Sequence, residues 1–440
     1  MMMMKRLIMI CCLAAWCVAA VAADSPVPMS QAECRRLALA NNEQVTQADN
    51  ELRRAQLEKE IAFTSYLPKI DGMASAVYMV PDLDMMGMEL QMRGMYMAGL
   101  TLTQPLYTGG KIRTGNKLAR IGVECAEQNN RKTRMQVIAD ADNAYWTYIS
   151  VRSKVKMLET YGAHMDTLLS QVETAVRAGM GTENDLLRIS TKRSEITYQL
   201  QKARNGADLC RLALCNVTGL PFESMIIPTD TAISVAEPAA MDGDISMRPE
   251  LALLQKQVEA GEQQVKMARA DMLPSVALSA GYTYYGNVKL NGMNVDAQGN
   301  YIPFTQKFQD GIGLIMASVS IPILHWGENT KKVKKAKIEL HNAQLDLQRN
   351  TRLLGIEARQ AMQNVADGYN MVLTARQGCM QADENLRVMN EKYRASMCTL
   401  TDLLDAQSQW QQSQSNRIEA VTQYKIYQTE YLRTTGRLGE

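Results

Sequence analysis

The chain has 440 residues, of which 46% are apolar and 21% charged, with 48 basic and 46 acidic side chains. This near balance of charge argues against nucleic acid as a partner, because nucleic-acid binding favours a basic patch. Beyond the N-terminal leader, no segment has the roughly 18 consecutive apolar residues of a membrane helix, so only strands or the protein surface would contact a membrane.

The first residues have the features of a secretory signal. Lys5 and Arg6 give a positive start, an apolar run extends from Leu7 to Val18, and small residues follow up to Ala23. We predict a signal peptide over residues 1–23, and therefore export of the chain. The alternative is a membrane anchor.

After this leader the sequence predicts a helix, two strands and a very long helix. A capping box from Ser30 to Glu33 opens a helix that extends to about Tyr66. Because proline disrupts helix interiors, its absence between Pro105 and Pro221 predicts a mainly helical stretch. The other predicted elements of this half are strands over residues 70–79 and 95–104, a loop over 80–94, a long helix over 111–178 and a return helix over 184–217.

The second half predicts the same order of elements. Arg248-Pro249-Glu250-Leu251 begins a helix, and no proline follows Pro322. Apolar residues recur every seven positions from Val333 to Ala361, which predicts coiled-coil packing. The remaining elements are strands over residues 275–285 and 311–321, a polar loop over 286–310, a long helix over 328–395 and a return helix over 401–435.

The two halves are copies of one unit. The run from Gln104 to Gly110 has its counterpart 217 positions later, and the run from Thr182 to Leu187 has its counterpart at the same offset. A constant offset over so long a stretch is typical of internal duplication. We predict a first repeat over residues 24–218, a linker over 219–247 and a second repeat over 248–440.

The predicted strands have the alternation of a membrane β-barrel. Tyr96 and Leu100 share an apolar face in one strand, and Ile315 and Val319 share one in another. We predict that these four residues face lipid; the alternative is a pair of soluble hairpins. Four strands cannot close a barrel, whereas a dimer would supply eight and a trimer twelve.

Helices of this length would be on the order of 100 Å long and must lie in an aqueous compartment. An exported chain with membrane strands and such helices is a conduit or a tethered stalk.

Four motifs resemble those of the TolC family of outer-membrane efflux proteins, the outer membrane factors, over essentially the whole mature chain. They begin at Ser30, Leu102, Arg248 and Asp402 and read SQAECRRLALANN, LTQPLYTGG, RPEL and DLLDAQ. The resemblance implies a mixed α and β membrane protein. It would be a homotrimer whose twelve-stranded β-barrel in the outer membrane continues into an α-helical barrel in the periplasm, with the linker in the equatorial region.

The family also implies a function and partners. A channel-tunnel of this kind gives small molecules or secreted proteins an exit path across the periplasm and outer membrane. Its partners would be a periplasmic adaptor (membrane fusion) protein, an inner-membrane RND, ABC or similar pump, and outer-membrane lipid. The competing hypothesis is an exported coiled-coil stalk or adhesin without a conducting pore, which would explain the helices but not the paired strands.

The resemblance assigns roles to two predicted turns and to their neighbours. The turns would form adaptor-docking tips, and the residues of the tips are Gly179, Met180, Gly181, Ser396, Met397 and Cys398. The periplasmic gate would comprise Asp402, Asp405, Asp185, Tyr393 and Arg188. Asp402 and Asp405 would form an acidic ring, and Tyr393 would bond to Asp185 across the tip.

This sequence departs from the family at Cys398, where some members carry a gating arginine, and at Arg188, whose counterpart is Asp405. Arg188 could therefore pair with an acid of the ring. The alternative for Asp402 and Asp405 is that they only cap and solvate the return helix.

Catalysis is not indicated. The three histidines, His164, His325 and His341, are far apart and lack metal-ligand spacing, and no nucleophile elbow, phosphate loop or dinucleotide motif occurs. We expect no catalytic residue, cofactor or bound metal. Methionines crowd the predicted loop around Met88, which would suit copper or silver efflux, or would serve as adaptable apolar filler.

Overall fold

The computed structural model describes residues 27–85, 88–230, 235–295 and 297–439. The predicted signal peptide lies outside these residues. The chain forms two compact units, and each takes segments from both predicted repeats. The helical unit contains the described residues up to Glu51, Glu127–Leu253 and those from Gln348 onward; the sheet unit contains Leu52–Ala126 and Leu254–Leu347.

Two helices of 67 residues dominate the chain. They span Lys111–Arg177 and Glu328–Arg394, within one residue of the predicted bounds. Both begin and end at positions separated by the repeat offset, so the duplication seen in the sequence is also present in the structure. In order along the described part of the chain, the seven helices are α1 (Gln31–Asn41), α2 (Glu43–Thr64), α3 (Lys111–Arg177), α4 (Glu183–Thr218), α5 (Pro249–Ala270), α6 (Glu328–Arg394) and α7 (Leu400–Thr434).

The first predicted helix is in fact two helices. Ser30 caps α1 by accepting a hydrogen bond from the backbone N–H of Glu33 at 3.2 Å, as the capping motif predicts. Asn42 is extended, and its side-chain oxygen accepts from the backbone N–H of Gln44 at 2.9 Å. A short amide side chain that bonds to nearby backbone competes with the helix, and this explains the break.

The strands of the sheet unit form one antiparallel sheet. Among the described residues its six strands are β2 (Lys69–Tyr78), β3 (Leu83–Met85), β4 (Met88–Gln91), β5 (Arg93–Thr108), β7 (Ser275–Val295) and β8 (Tyr301–Ser320). The four long strands β2, β5, β7 and β8 are neighbours in that order, and the short hairpin of β3 and β4 extends the sheet.

The loops predicted over residues 80–94 and 286–310 are much shorter in the structure, so their predicted extent was wrong. Much of each is strand, and β7 and β8 continue as a long hairpin to Val295 and Tyr301. The extension contains several Asn and Gly residues, and the hydroxyl of Thr305 donates to Asn291 across it at 2.9 Å. Asn and Gly are depleted in strands and common in turns, so strands that contain them resemble a loop in sequence.

The core of the helical unit is organised around a buried carboxylate. Asp142 on α3 has a fully buried side chain. It accepts hydrogen bonds from Arg35 at 2.7 Å, Gln31 at 2.9 Å and Thr429 at 2.6 Å, and so joins α1, α3 and α7. Such a charge is tolerated in a core because it is paired and hydrogen-bonded.

The predicted linker contains β6 (Ile226–Pro228), which pairs in parallel with β1 (Val27–Met29) beside this core. The six cysteines of the described chain are free, and Cys34, Cys215 and Cys379 are buried. Among the described residues, no helix has both the length and the apolar character needed to cross a membrane.

Candidate channel site

The sheet has one continuous apolar face. Its register pairs Leu100 with Tyr282 and Tyr282 with Gly313, and places Ile315 and Val319 on the same side. The four residues predicted to face lipid, Tyr96 among them, therefore share this face, and all four are exposed in the single chain. The other side is mixed, with Thr101, Thr103 and Ser318 beside apolar residues such as Ile312 and Leu314. A continuous apolar face is typical of barrel strands in a membrane.

Tyrosine rings cover glycines on this face, a feature that the sequence analysis missed. A Cβ built on Gly311 would lie 1.8 Å from the hydroxyl of Tyr282, and one on Gly286 would lie 2.5 Å from that of Tyr96. Gln309 donates to the hydroxyl of Tyr284 at 2.6 Å. Glycine inside a strand together with tyrosine on its neighbour is the signal that could have revealed this packing.

Each of the two outer strands of the sheet has one unpaired edge among the described residues. β2, with ten residues, pairs only with β5, and β8, with twenty, pairs only with β7, among the residues that the structure describes. All ten residues of β2 are exposed. An unpaired edge of this length is a surface that accepts another strand.

The two predicted tips in the helical unit have the same local structure. Gly179 and Ser396 are equivalent in the repeats, and both adopt a left-handed backbone conformation with φ of 74° and 57°. These residues end α3 and α6. Met180 and Met397 are exposed at the turns, Gly181 is half-buried, and the Cys398 thiol contacts the carbonyl of Met389 at 3.7 Å.

Each return helix begins with a threonine cap and an aspartate. The hydroxyl of Thr182 donates to Asp185 at 2.6 Å, and that of Thr399 donates to Asp402 at 2.7 Å. Asp402 also accepts from the backbone N–H of Thr399 at 3.0 Å and completes a capping box. These hydrogen bonds lower the pKa of Asp402. The carboxylate therefore has a capping role within the chain, and it stays charged at a pH that protonates an ordinary aspartate.

Asp405 lies one turn beyond Asp402 on α7, and both side chains are exposed. Residues three apart lie on one side of a helix, so the two acids face the same way. Arg188 donates a hydrogen bond to the hydroxyl of Thr401, next to this pair, rather than to an acid. The second tip is therefore in contact with α4 of the first repeat.

Tyr393 is half-buried against the apolar cluster below the tips, which includes Leu403. Burial raises the pKa of Tyr393, and the negative charge of Asp185 adds to this effect. The two side chains are therefore close, but within this chain the Asp185 carboxylate accepts from Thr182.

Two further contacts lie below the tips, and the sequence analysis did not identify them. Within the second repeat, Trp410 donates to Asp383 at 2.6 Å, which joins α7 to α6. Gln411 donates to Gln199 at 2.7 Å, which joins α7 to α4. In the described part of the chain there is no group of three or more His, Cys, Asp or Glu residues that could hold a metal.

Comparison with known proteins gives the family. The sequence profile described as outer membrane efflux protein matches residues 35–219 and 245–437. The toluene efflux pump outer membrane protein TtgC of Pseudomonas putida is 23% identical over 68% of this chain, and the match spans 60% of that relative's length. The outer membrane protein TolC of Vibrio cholerae is 20% identical over 78% of this chain and 77% of that protein.

The fold also matches a solved channel. The MtrE outer membrane channel of Neisseria gonorrhoeae superposes with a TM-score of 0.76 at 16% identity, over 92% of this chain and 88% of that one. The predicted fold class, a duplicated mixed α and β membrane protein, and the predicted location in the outer membrane are confirmed by these comparisons. The chain belongs to the outer membrane efflux protein family.

Proposed function

We propose that this chain is one protomer of a homotrimeric exit channel, in which three four-stranded sheets close into a twelve-stranded barrel in the outer membrane. The observation that carries the proposal is the sheet itself, which is apolar on one face and unpaired along both β2 and β8. In lipid every backbone polar group must be hydrogen-bonded, so an open edge has to be closed. Joining β8 of one protomer to β2 of the next satisfies both edges.

The long helices then form the periplasmic part of the conduit. α3 and α6 have equal lengths and equivalent ends, which suits them to line one passage together with their return helices. A stalk or adhesin would need the helices but not a sheet whose apolar face remains exposed. The chain would move cargo without chemistry on it, and so would not be an enzyme.

The relatives support a role in efflux, since TtgC is named for toluene efflux. We propose that cargo enters from an inner-membrane pump of the RND, ABC or similar type, through a periplasmic adaptor protein. The adaptor would dock at the two turns, where glycine and other small residues allow close approach of another helical tip. These turns comprise residues 179–181 and 396–398.

The periplasmic end would act as a gate. Threefold repetition of Asp402 and Asp405 would place a ring of carboxylates round one aperture, and acidic rings favour cations. Arg188, bonded to Thr401, would hold the return helices of the two repeats together when the gate is closed. The MtrE channel has been solved in an open state, which supports a gate in this fold.

The assembly is tested by the mass of the protein extracted from the outer membrane in a nonionic detergent. Multi-angle light scattering corrected for bound detergent should give three times the mass of one chain. A monomer that retains its strand content by circular dichroism would overturn the proposal, because its sheet edges would then be stable while unpaired.

A further inference from the structure

A dense group of lysines follows the end of the last strand. Five of the seven residues from 331 to 337, near the start of α6, are lysines, and all five are exposed; they are Lys331, Lys332, Lys334, Lys335 and Lys337. They lie in the sheet unit, a short distance along the chain from Ser320, where β8 ends. At 1.5 Å per residue, the five span only about 9 Å of helix axis.

This charge is unfavourable for the helix. Lys331 and Lys335 are four residues apart, and like charges at that spacing on a helix repel one another. Lys332 pairs with Glu328 at 2.7 Å and Lys335 with Glu339 at 3.7 Å. For the other three lysines the described chain provides no ion pair. A local rule broken without compensation inside the chain points to a function that requires the charge.

The segment just before these lysines is apolar and exposed. Ile323 is 91% exposed, Trp326 is 86% exposed, and Leu324 is also exposed. An exposed tryptophan beside aliphatic side chains is a common anchor at the boundary between lipid and water. The order along the chain is thus membrane strand, apolar anchor, then lysines.

We propose that this segment, residues 323–337, which we call the basic collar, binds anionic phospholipid headgroups on the periplasmic surface of the outer membrane. The inference rests on the proposed function, since β8 must cross that membrane. Trp326 and its neighbours enter the interface, and the lysine ammonium groups reach phosphates with their flexible stems. The lipid phosphates then offset the repulsion between the lysines.

The first repeat has a weaker version of the same device. α3 begins with Lys111 and Arg113, and its first turn contains no acid. Lys111 is already paired with Asp271, the residue that follows α5. The counterparts of Trp326 and Gly327 are Gly109 and Gly110, so this junction lacks the tryptophan. The lipid contact is therefore assigned to the second repeat.

The test measures lipid selectivity of the assembled protein in vesicles. Spin-labelled phosphatidylglycerol and spin-labelled phosphatidylcholine are added separately, and electron paramagnetic resonance gives the fraction of each held at the protein surface. The collar variant carries Lys331→Gln, Lys334→Gln and Lys335→Gln. The matched control carries Lys156→Gln, Lys202→Gln and Lys392→Gln, three exposed lysines of the helical unit.

The wild type should prefer phosphatidylglycerol, and high salt should weaken that preference. In the collar variant the preference for phosphatidylglycerol should fall by at least about fivefold. That factor corresponds to the binding free energy of one lysine near an anionic surface. The control variant, and a variant with the same three positions changed to arginine, should keep it. An unchanged preference in the collar variant overturns the proposal and leaves the lysines to a soluble acidic partner. Equal losses in collar and control variants also overturn it.

Trimer mass and channel conductance are measured on the same vesicle preparations. A wild type that shows neither the trimer mass nor channel conductance would refute the proposed channel, whatever its lipid preference. If the collar variant does not assemble, the salt dependence of the wild type still decides, because a preference that salt leaves unchanged contradicts a headgroup contact through lysines.

Discussion

Arg188 of the first repeat donates a hydrogen bond to the hydroxyl of Thr401 in the second repeat. The caps of the two return helices are built alike, with Thr182 and Asp185 in one and Thr399 and Asp402 in the other. The copies diverge at Arg188, whose counterpart is Asp405, and at Thr401, whose counterpart is Asn184. The contact between repeats therefore uses residues that the duplication did not preserve.

Arg188→Ala should loosen the closed gate. The change removes the hydrogen bond to Thr401 and leaves the two threonine caps intact, so the helices should remain folded while the return helices separate more readily. We expect more frequent or larger openings of the closed channel in bilayer recordings. Arg193→Ala is the matched control, because Arg193 pairs with Asp166 within the first repeat. Equal opening in both variants would show that Arg188 does not link the repeats functionally.

Asp405→Asn should lower cation selectivity without a loss of stability. Asp405 is exposed and lies outside the capping box, so only its charge in the proposed ring changes. Asp402→Ala should lower selectivity as well, and should also destabilise the start of α7, since a lost cap costs about 0.5–2 kcal/mol. Reversal potentials in a salt gradient measure the selectivity. Unchanged reversal potentials in a variant that carries both Asp402→Ala and Asp405→Asn would rule out the acidic ring.

The selectivity should also depend on pH in a definite direction. Because the Thr399 hydrogen bonds lower the pKa of Asp402, its charge persists as pH falls through about 3.9, the ordinary aspartate value. Its stabilising effect on the cap is present above that value and is lost as pH falls through the lowered pKa. We expect Thr399→Val to shift the loss of selectivity to higher pH. A shift to lower pH would contradict the assignment.

Leu100→Arg and Val319→Arg should impair insertion. Both residues lie on the apolar face, and an arginine near the membrane midplane costs a barrel strand about 2–4 kcal/mol. Thr101→Arg is the control, since it places the same charge on the opposite face of β5. Yields of folded protein in the outer membrane measure the effect. A larger loss for Thr101→Arg than for Leu100→Arg would mean that the polar face meets lipid.

Gly311→Ala should destabilise the sheet far more than Gly313→Ala. The new methyl group at 311 would overlap the Tyr282 ring, whereas the nearest atom to a Cβ at 313 is 3.8 Å away. Overpacking of this kind costs about 1–3 kcal/mol. Tyr282→Ala should rescue Gly311→Ala, because it removes the obstructing ring. Urea unfolding of the assembled protein measures the differences, and failure of the rescue would mean that the ring is not the obstacle.

The elements most visible in sequence were those that a single local rule controls. The long helices were predicted to within one residue, because proline is excluded from both and Gly179 and Ser396 reverse the chain. The apolar face of the strands followed from residues such as Leu100 and Ile315 at a period of two. The break at Asn42 was missed, since a capping motif marks where a helix starts and not how far it runs.

The contacts that the sequence analysis missed in the helical unit depend on which helices become neighbours. Thr401 is a small polar residue in a helix, and nothing local distinguishes it from other threonines until Arg188 is placed beside it. Asp383 likewise has no special context until Trp410 reaches it from α7. The extension of the β7 and β8 hairpin was missed for a related reason, because its stability comes from cross-strand pairing such as that of Thr305 with Asn291.

Single-channel recording in a planar bilayer tests the central claim most directly. Purified wild-type protein should insert and give discrete, cation-selective conductance steps, because three sheets then enclose a water-filled passage. Detergent alone and the Leu100→Arg variant, which should insert poorly, serve as controls. Stable insertion of the trimer without any conductance, in both the wild type and the Arg188→Ala variant, would contradict the channel. That result would favour a non-conducting stalk.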